Sequence, residues 1–393
     1  MRSFLSALLF VSFFAVSITA IAVAQESDTE KDLLFVTNQG EASVSIINMN
    51  TNEVVETVDL TAFGFSSNAS PHHAVAEKDG SAWYVSMIAE NTVLKLNSDD
   101  EVVSQGQMEA PGLLSIHPTK NYLFVARSMM AASPPQSLGM ADRDDLATLE
   151  EVGVFFDRPH AVTTTADGRF VYSASLATNQ FIGLDPETQR GELTAIDGST
   201  HVLVQLASSP DGMQLAGTGQ LSAALLLFDV EDDGRLTLTD EIEVGAQPWH
   251  PIYSPDGSRI YVPNKQGNSV SVVDVEQREV IHTIEGDAFA EPHGAALSAD
   301  GRYLYVSNNH QRGMMEDMMR DMVAGAEQPA GSPRDHDDHH DDHDHHADHD
   351  HDEHDHDTDE RPGTVAVIDT ETFEVVQVIE VGVYPTGLGT QVR

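Results

Sequence analysis

The chain has 393 residues, with 64 acidic and 20 basic side chains, and its formal net charge at pH 7 is -44. This charge argues against nucleic acid and anionic membranes as partners, because both are polyanions, and leaves cations such as metal ions. Cysteine is absent, which excludes disulfides and thiolate ligands, so the fold must depend on a large buried core.

The N-terminal segment has the pattern of an export signal. Arg2 precedes an apolar and small-residue run over residues 4–24, which ends in Ala22, Val23 and Ala24. We predict a signal peptide over residues 1–24, cleaved before Gln25. The alternative is a retained membrane anchor, but no Lys/Arg cluster follows. No later stretch reaches the roughly eighteen apolar residues of a membrane span, so the mature protein is expected to be periplasmic or secreted.

A short strand pattern then recurs along the mature chain. It reads FVTN, YVSM, FVAR, YSAS, LAGT, YVPN and YVSN in its seven copies, which lie at residues 35–38, 84–87, 124–127, 172–175, 215–218, 261–264 and 305–308. Such a period predicts a repeat fold in which each repeat is one supersecondary unit.

Each repeat predicts four short strands. An Asp-Gly hairpin turn precedes five copies, at Gly80, Gly168, Gly212, Gly257 and Gly301. An alternating strand such as residues 270–274 or 365–369 follows, and then a fourth strand such as residues 280–284. Four strands make one blade of a β-propeller. The motifs resemble those of the YVTN β-propeller family over nearly the whole mature chain, which implies an all-β, seven-bladed β-propeller over residues 25–393.

The C-terminus predicts how the ring closes. The sequence after Tyr384 and Pro385 matches the start of an innermost strand, yet no blade follows it. We expect this strand to pair beside residues 34–38 of the first blade, because pairing removes two exposed edges at once.

Two insertions interrupt the repeats, each between the second and third strands of a blade. The short one, residues 128–136, is rich in Met, Ser and Pro; the blade resumes at residues 138–142, although residues 142–149 could instead form an acidic helical turn. The long insertion, residues 311–361, lies in the last blade. It contains Met314, Met315, Met318, Met319 and Met322 at helical spacing. They suit an apolar helix face, with Cu(I) binding through thioethers as the alternative.

A histidine tract completes the long insertion. Ten histidines alternate with carboxylates there, at His336, His339, His340, His343, His345, His346, His349, His351, His354 and His356. This composition cannot bury apolar surface and predicts disorder. Imidazole and carboxylate together are ligands for zinc, with copper or nickel as alternatives, so we expect a multi-ion binding tract. A solvated acidic linker is the alternative.

Five of the nine remaining histidines repeat at one place, shortly after the proline that opens an innermost strand. They are His72, His73, His160, His250 and His293, with His201 near that place in a repeat without the proline. Innermost strands line the central channel, so this position predicts a ring around its mouth, to which the other two blades give Gly112 and Thr386. Three of these histidines are candidate zinc ligands. A structural role, bonding the neighbouring blade, is an equal alternative.

An exported zinc-binding protein is favoured by the predicted signal peptide, by the histidine tract and by the repeated histidines near the channel mouth. In this combination the chain resembles the zinc metallochaperone propellers of AztD type. That resemblance implies delivery of zinc to the solute-binding protein of a metal transporter. We expect a monomer.

Two other function classes remain open. Related propellers include lactonases, and a copper-bearing propeller occurs in nitrous oxide reductase, but no nucleophile elbow, Ser/His/Asp set, cysteine or haem motif is present here. We therefore assign no catalytic residues. An interaction or surface scaffold would need only the blades.

Overall fold

The computed structural model describes residues 32–131, 136–310 and 361–391. Within these ranges, 28 strands form seven four-stranded antiparallel sheets arranged in a ring, and one short 3-10 helix covers Leu60–Phe63. The predicted signal peptide and the histidine tract lie outside the described residues. No helix of the described ranges is long and apolar enough to cross a membrane.

The strands follow the predicted repeats. Blades 1 and 2 comprise β1 Leu33–Asn38, β2 Ser43–Asn48, β3 Glu53–Asp59, β4 Pro71–Ala76, β5 Ala82–Met87, β6 Thr92–Asn97 and β7 Val102–Gln107. Blades 3 and 4 comprise β8 Pro111–Ile116, β9 Tyr122–Arg127, β10 Ser137–Asp142, β11 Asp145–Gly153, β12 Pro159–Thr164, β13 Val171–Ser175, β14 Gln180–Leu184 and β15 Gly191–Ala195. Blades 5 and 6 comprise β16 Leu203–Ser208, β17 Gln214–Gly219, β18 Ala224–Val230, β19 Leu236–Glu243, β20 Ile252–Tyr253, β21 Arg259–Asn264, β22 Ser269–Asp274 and β23 Glu279–Glu285. Blade 7 comprises β24 Pro292–Leu297, β25 Tyr303–Asn308, β26 Pro362–Asp369 and β27 Val375–Val383, and β28 Pro385–Gln391 follows it.

The ring closes as predicted, with the innermost strand of blade 1 supplied by the C-terminal segment. β28 pairs antiparallel with β1, and Val36 stands opposite Leu388. Thr37 and Thr386 also meet through their hydroxyl groups at 3.1 Å. Blade 1 is therefore held together by residues from both ends of the described chain.

The core lies between neighbouring blades, because each sheet buries both faces. Apolar clusters join each blade to the next around the whole ring. Between blades 1 and 2, for example, the ring of Phe35 stacks on that of Trp83 at 5.0 Å. These interfaces supply the buried area that a protein without disulfides requires.

Local predictions can be compared with single elements. Each of the five Asp-Gly turns places its glycine at a φ between +71° and +75°, the left-handed region that glycine favours. In the chain order, the short insertion lies between β9 and β10, and the long one between β25 and β26. The alternative of a helical turn at residues 142–149 is wrong: Asp145–Gly153 forms β11, because its backbone pairs antiparallel with β10.

Candidate functional site

The entry to every innermost strand has the same unusual backbone. One residue before the strand or its proline adopts a left-handed φ between +43° and +57° in all seven blades. These residues are Ser70, Ala110, Arg158, Val202, Gln247, Glu291 and Tyr384. None is glycine, so this conformation stores strain that the surrounding structure must hold. The strained entries all lie at one mouth of the channel.

A β-bulge follows these entries and sets the direction of the histidines. The register between the first and second strands shifts between Pro71 and His73, between Pro159 and Ala161, and between Pro292 and Ala295. A bulge leaves a residue out of the ladder and changes the direction of its side chain. His72, His160 and His293 occupy or adjoin these positions.

The histidine rings of distant blades meet across the channel. His72 of blade 2 lies 6.3 Å from His160 of blade 4, and His73 of blade 2 lies 6.3 Å from His250 of blade 6, measured between ring centroids. These blades are not neighbours, so the rings must project toward the axis. His293 is also close enough for charge on it to interact with His72, His160 and His250.

His201 does not join this group. Its Nδ1 lies 2.8 Å from the hydroxyl of Ser222 and 3.9 Å from Oε1 of Glu241, which belongs to the outermost strand of blade 5. The structure therefore brings together His72, His73, His160, His250 and His293, which we call the axial histidines.

Burial keeps the axial histidines neutral. Burial lowers the pKa of His72 to about 3, with a further contribution from His160, and it lowers the pKa of His160 and of His250 to about 4. It also lowers the pKa of His73 and of His293 well below the usual value for histidine. Desolvation disfavours the charged imidazolium in each case. All five rings are neutral at pH 7.

Hydrogen bonds fix the tautomers of two rings so that lone pairs face the channel. Nδ1 of His72 donates to Oε1 of Gln39 at 3.2 Å, and Nδ1 of His160 donates to the carbonyl oxygen of Val204 at 2.8 Å. A neutral ring has one proton, so Nε2 of each carries a lone pair. Both Nε2 atoms are buried and have no hydrogen-bond partner among the described residues, and the same holds for Nδ1 of His293.

The other two rings have the opposite tautomer. The Leu114 N–H donates to Nδ1 of His73 at 3.2 Å, and the Ala295 N–H donates to Nδ1 of His250 at 3.5 Å. Nε2 of each neutral ring therefore carries the proton and is a donor. Nε2 of His73 is buried and has no acceptor among the described residues. The axial group thus combines metal-ligand lone pairs with N–H donors.

The axial histidines have the chemistry of zinc ligands, but their rings are too far apart for a zinc site. Neutral imidazoles with free lone pairs are zinc ligands. However, two imidazoles on one tetrahedral zinc ion have centroids about 5 Å apart, given the Zn–N bond length, whereas His72 and His160 are 6.3 Å apart. Consistently, no group of three His, Asp or Glu in the described ranges is close enough to hold a metal ion. Binding would require the rings to approach by about 1 Å.

A second ring of residues surrounds the mouth, and sequence reasoning missed it. In every blade, the residue after the second strand donates its N–H to the carbonyl oxygen of the strained entry residue. These residues, the second ring, are Gln39, Ile88, Ser128, Leu176, Gln220, Lys265 and Asn309. The signal was present in the sequence, because six of these residues directly follow a copy of the repeated motif and Gln220 comes one residue later.

Lys265 is the charged member of this ring. It is only 4% exposed, and its ammonium lies over the rings of Trp249 and Tyr384, at 5.7 and 5.6 Å from their centroids. Trp249 in turn packs on His293 at 4.2 Å. Nζ of Lys265 also lies 3.8 Å from Oε2 of Glu291. A buried cation therefore stands beside the axial histidines.

No protein-family model matches the chain. It is similar to the uncharacterized protein YncE of Salmonella typhi, with 30% identity over 145 residues, which is 37% of each chain; the match to YncE of Salmonella typhimurium is nearly the same. The match therefore spans little more than a third of the length of these relatives. The 6-phosphogluconolactonase of an Enterobacter species is 26% identical over 240 residues, covering 54% of this chain and 69% of that enzyme.

Solved structures support the architecture. A protein of unknown function from Desulfotomaculum acetoxidans superposes with a TM-score of 0.66 over 92% of this chain and 99% of its own, at 12% identity. A streptogramin B lyase does so with a TM-score of 0.57 over 70% and 86%, also at 12% identity. Likeness at this identity shows the fold alone. The chain is a seven-bladed β-propeller with distant homology to YncE-like and lactonase-like propeller proteins.

Proposed function

We propose that this propeller is an exported zinc-binding protein that holds one ion at the channel mouth. The observation that carries the proposal is a set of three buried nitrogen atoms that have no hydrogen-bond partner within the described part of the chain: Nε2 of His72, Nε2 of His160 and Nδ1 of His293. They come from blades 2, 4 and 7. Three imidazoles would leave a fourth coordination position open, as in zinc sites that exchange a ligand.

The histidine tract gives the second part of the proposal. Residues 335–360 contain ten histidines and 14 of the 64 acidic residues, without Lys or Arg. Such a segment attracts cations and raises their local concentration. It follows β25, whose blade also supplies His293. We infer that the tract captures zinc weakly, that the axial histidines set the affinity, and that the ion passes to the solute-binding protein of a metal transporter.

Zinc titration of two variants tests the division of roles. Deletion of residues 335–357 should remove several weak sites and leave about one tight site, because three imidazoles suffice for a zinc site with an open position. His160→Ala combined with His293→Ala should remove the tight site and leave the weak ones. Isothermal titration with metal-free protein gives both the affinity and the number of sites.

The control is His282→Ala, because His282 lies on the outer strand β23, stacked on Phe373. This variant should bind zinc like the wild type. If the double substitution leaves the tightest site unchanged, the axial site is wrong. If the deletion variant binds no zinc at all, the propeller is a scaffold that carries the tract.

A further inference from the structure

Two amide side chains of the second ring are buried without any hydrogen bond. Gln220 is 3% and Asn309 is 2% exposed, and neither the amide nitrogen nor the amide oxygen of either has a partner among the described residues. Native proteins pair nearly all such groups, because an unpaired buried amide loses its hydration without compensation. Four unpaired polar atoms at equivalent positions of two blades therefore call for an explanation.

The second ring faces the channel. Gln39, at the equivalent place in blade 1, reaches the His72 ring of blade 2. The ammonium of Lys265, at the equivalent place in blade 6, lies over the ring of Trp249, which packs on His293. Gln220 and Asn309 have the same backbone hydrogen bond as these two residues, to Val202 and Glu291 respectively. From these shared positions we expect their amides to face the mouth as well.

The hydrogen-bond donors and acceptors at the channel mouth indicate which kind of ligand would fit there. The Lys265 ammonium, the Nε2–H of His73 and the two amide N–H₂ groups are donors, which suit a carboxylate. The amide oxygens of Gln220 and Asn309 are acceptors, which a bare carboxylate would leave unpaired. A ligand that satisfies both sets carries a carboxylate and, close to it, a hydroxyl or amino group.

We propose that the channel mouth binds a small hydroxy acid or amino acid, held by Lys265, Gln220 and Asn309. Glu291 favours this class over inorganic polyanions, because its carboxylate lies 3.8 Å from Nζ of Lys265 and would repel a ligand that is negative all round. The site needs no metal, so it goes beyond the zinc proposal.

The test uses metal-free full-length protein, with glycine, L-alanine and L-lactate as probes. We expect at least one of them to raise the midpoint of thermal unfolding and to bind in isothermal titration, because a ligand that binds only the folded state stabilises it. Acetate lacks the neighbouring donor and phosphate lacks the carboxylate. Both should bind at least tenfold more weakly than the best probe.

Substitutions in the second ring distinguish a ligand site from a structural one. Asn309→Leu and Gln220→Leu keep similar volumes and remove the unpaired atoms. Without ligand they should raise the unfolding midpoint, because apolar atoms replace unsatisfied polar ones. They should also weaken the best probe at least tenfold, and so should Lys265→Met. Gln105→Leu, at an exposed position of β7, is the matched control and should leave binding unchanged.

The outcomes separate cleanly. If none of the three probes binds, or if binding survives Lys265→Met and Asn309→Leu, the proposal is overturned and the mouth holds only water. If Asn309→Leu and Gln220→Leu lower the unfolding midpoint, the amides are structural and the proposal also fails. None of these results depends on zinc, so failure here leaves the zinc titrations unaffected.

Discussion

A hydrogen bond to one ring nitrogen decides what the other nitrogen can do. The carbonyl oxygen of Val204 accepts a hydrogen bond from Nδ1–H of His160, so Nε2 of that ring has a lone pair. The Leu114 N–H donates to Nδ1 of His73, so Nε2 of that ring carries the proton. The same residue type at related positions therefore has two chemical roles. The sequence indicated which histidines share a position, but not their tautomers, because these depend on backbone groups of neighbouring blades.

The burial of these rings predicts acid sensitivity of the fold. In the unfolded chain a histidine has a pKa near 6.5, whereas burial holds His72 at about 3 and His160 and His250 at about 4. As the pH falls below about 6.5, the histidines therefore bind protons in the unfolded state but not in the folded state. The free energy of unfolding should decrease between about pH 6.5 and 4.5, by up to about 1.4 kcal/mol per pH unit for each ring.

Urea unfolding of metal-free protein at pH 7.5, 5.5 and 4.5 measures this slope. His160→Gln should reduce it, because one buried titratable ring is lost. Hydrogen bonds lower the pKa of exposed carboxyl groups as well, that of Asp256 to about 2. These groups stop stabilising the fold only at a pH below this range. An unfolding free energy that stays constant from pH 7.5 to 4.5 would show that the rings are not buried as described.

At the scale of strands, the alternation of apolar and polar residues and the turn residues were sufficient to predict most of the fold. The Asp-Gly turns located the hairpins, and the proline that opens β28 located the closing strand. The bulges between the first and second strands were not predictable, because they result from packing around the axis and have no turn residue of their own. Nor was the end of the short insertion, where residues 142–149 also suited a helix, because the pairing of β11 with β10 is not visible in the local sequence.

The close packing of the closing strand predicts the effect of a single methyl group. A Cβ on Gly389 would lie 2.3 Å from the carbonyl oxygen of Ala74, which belongs to the neighbouring innermost strand and cannot move as a side chain can. Gly389→Ala should therefore reduce the free energy of unfolding by about 1–3 kcal/mol, the usual effect of overpacking. Chemical denaturation of both proteins measures the difference.

The matched control for this change is Gly153→Ala. A Cβ on Gly153 would meet nothing closer than 3.9 Å, and its backbone is not left-handed. The control should change the free energy of unfolding by less than about 0.5 kcal/mol. Equal effects of the two substitutions would contradict the close contact between β28 and β4.

At the scale of the whole molecule, the proposed function combines two histidine environments. The tract histidines stand among carboxylates in the sequence, and the reference pKa of a free histidine is about 6.5. The axial histidines are neutral down to about pH 4. Zinc must compete with protons for each ligand, so the two environments should lose zinc at different pH values.

This difference predicts zinc release in two phases. Acidification of the zinc-loaded protein should release the tract ions at about pH 6.5. It should release the axial ion only below about pH 5, because burial lowers the pKa of the axial histidines. Metal analysis after dialysis at stepped pH measures both phases. Deletion of residues 335–357 should remove the first phase alone. A single release near pH 6.5 in the deletion variant would contradict burial of the tight site.

The pairing of β28 with β1 also determines the order in which the blades can be completed during synthesis and folding. The hydroxyl groups of Thr37 and Thr386 meet although 349 positions separate them in the chain. A ribosome must therefore complete all the intervening blades before the first blade receives its innermost strand. Until then the first blade presents an open edge that other strands could occupy. Contacts of such long range form slowly, so ring closure is expected to be the late and rate-limiting step of folding, and newly made chains would aggregate most readily just before it.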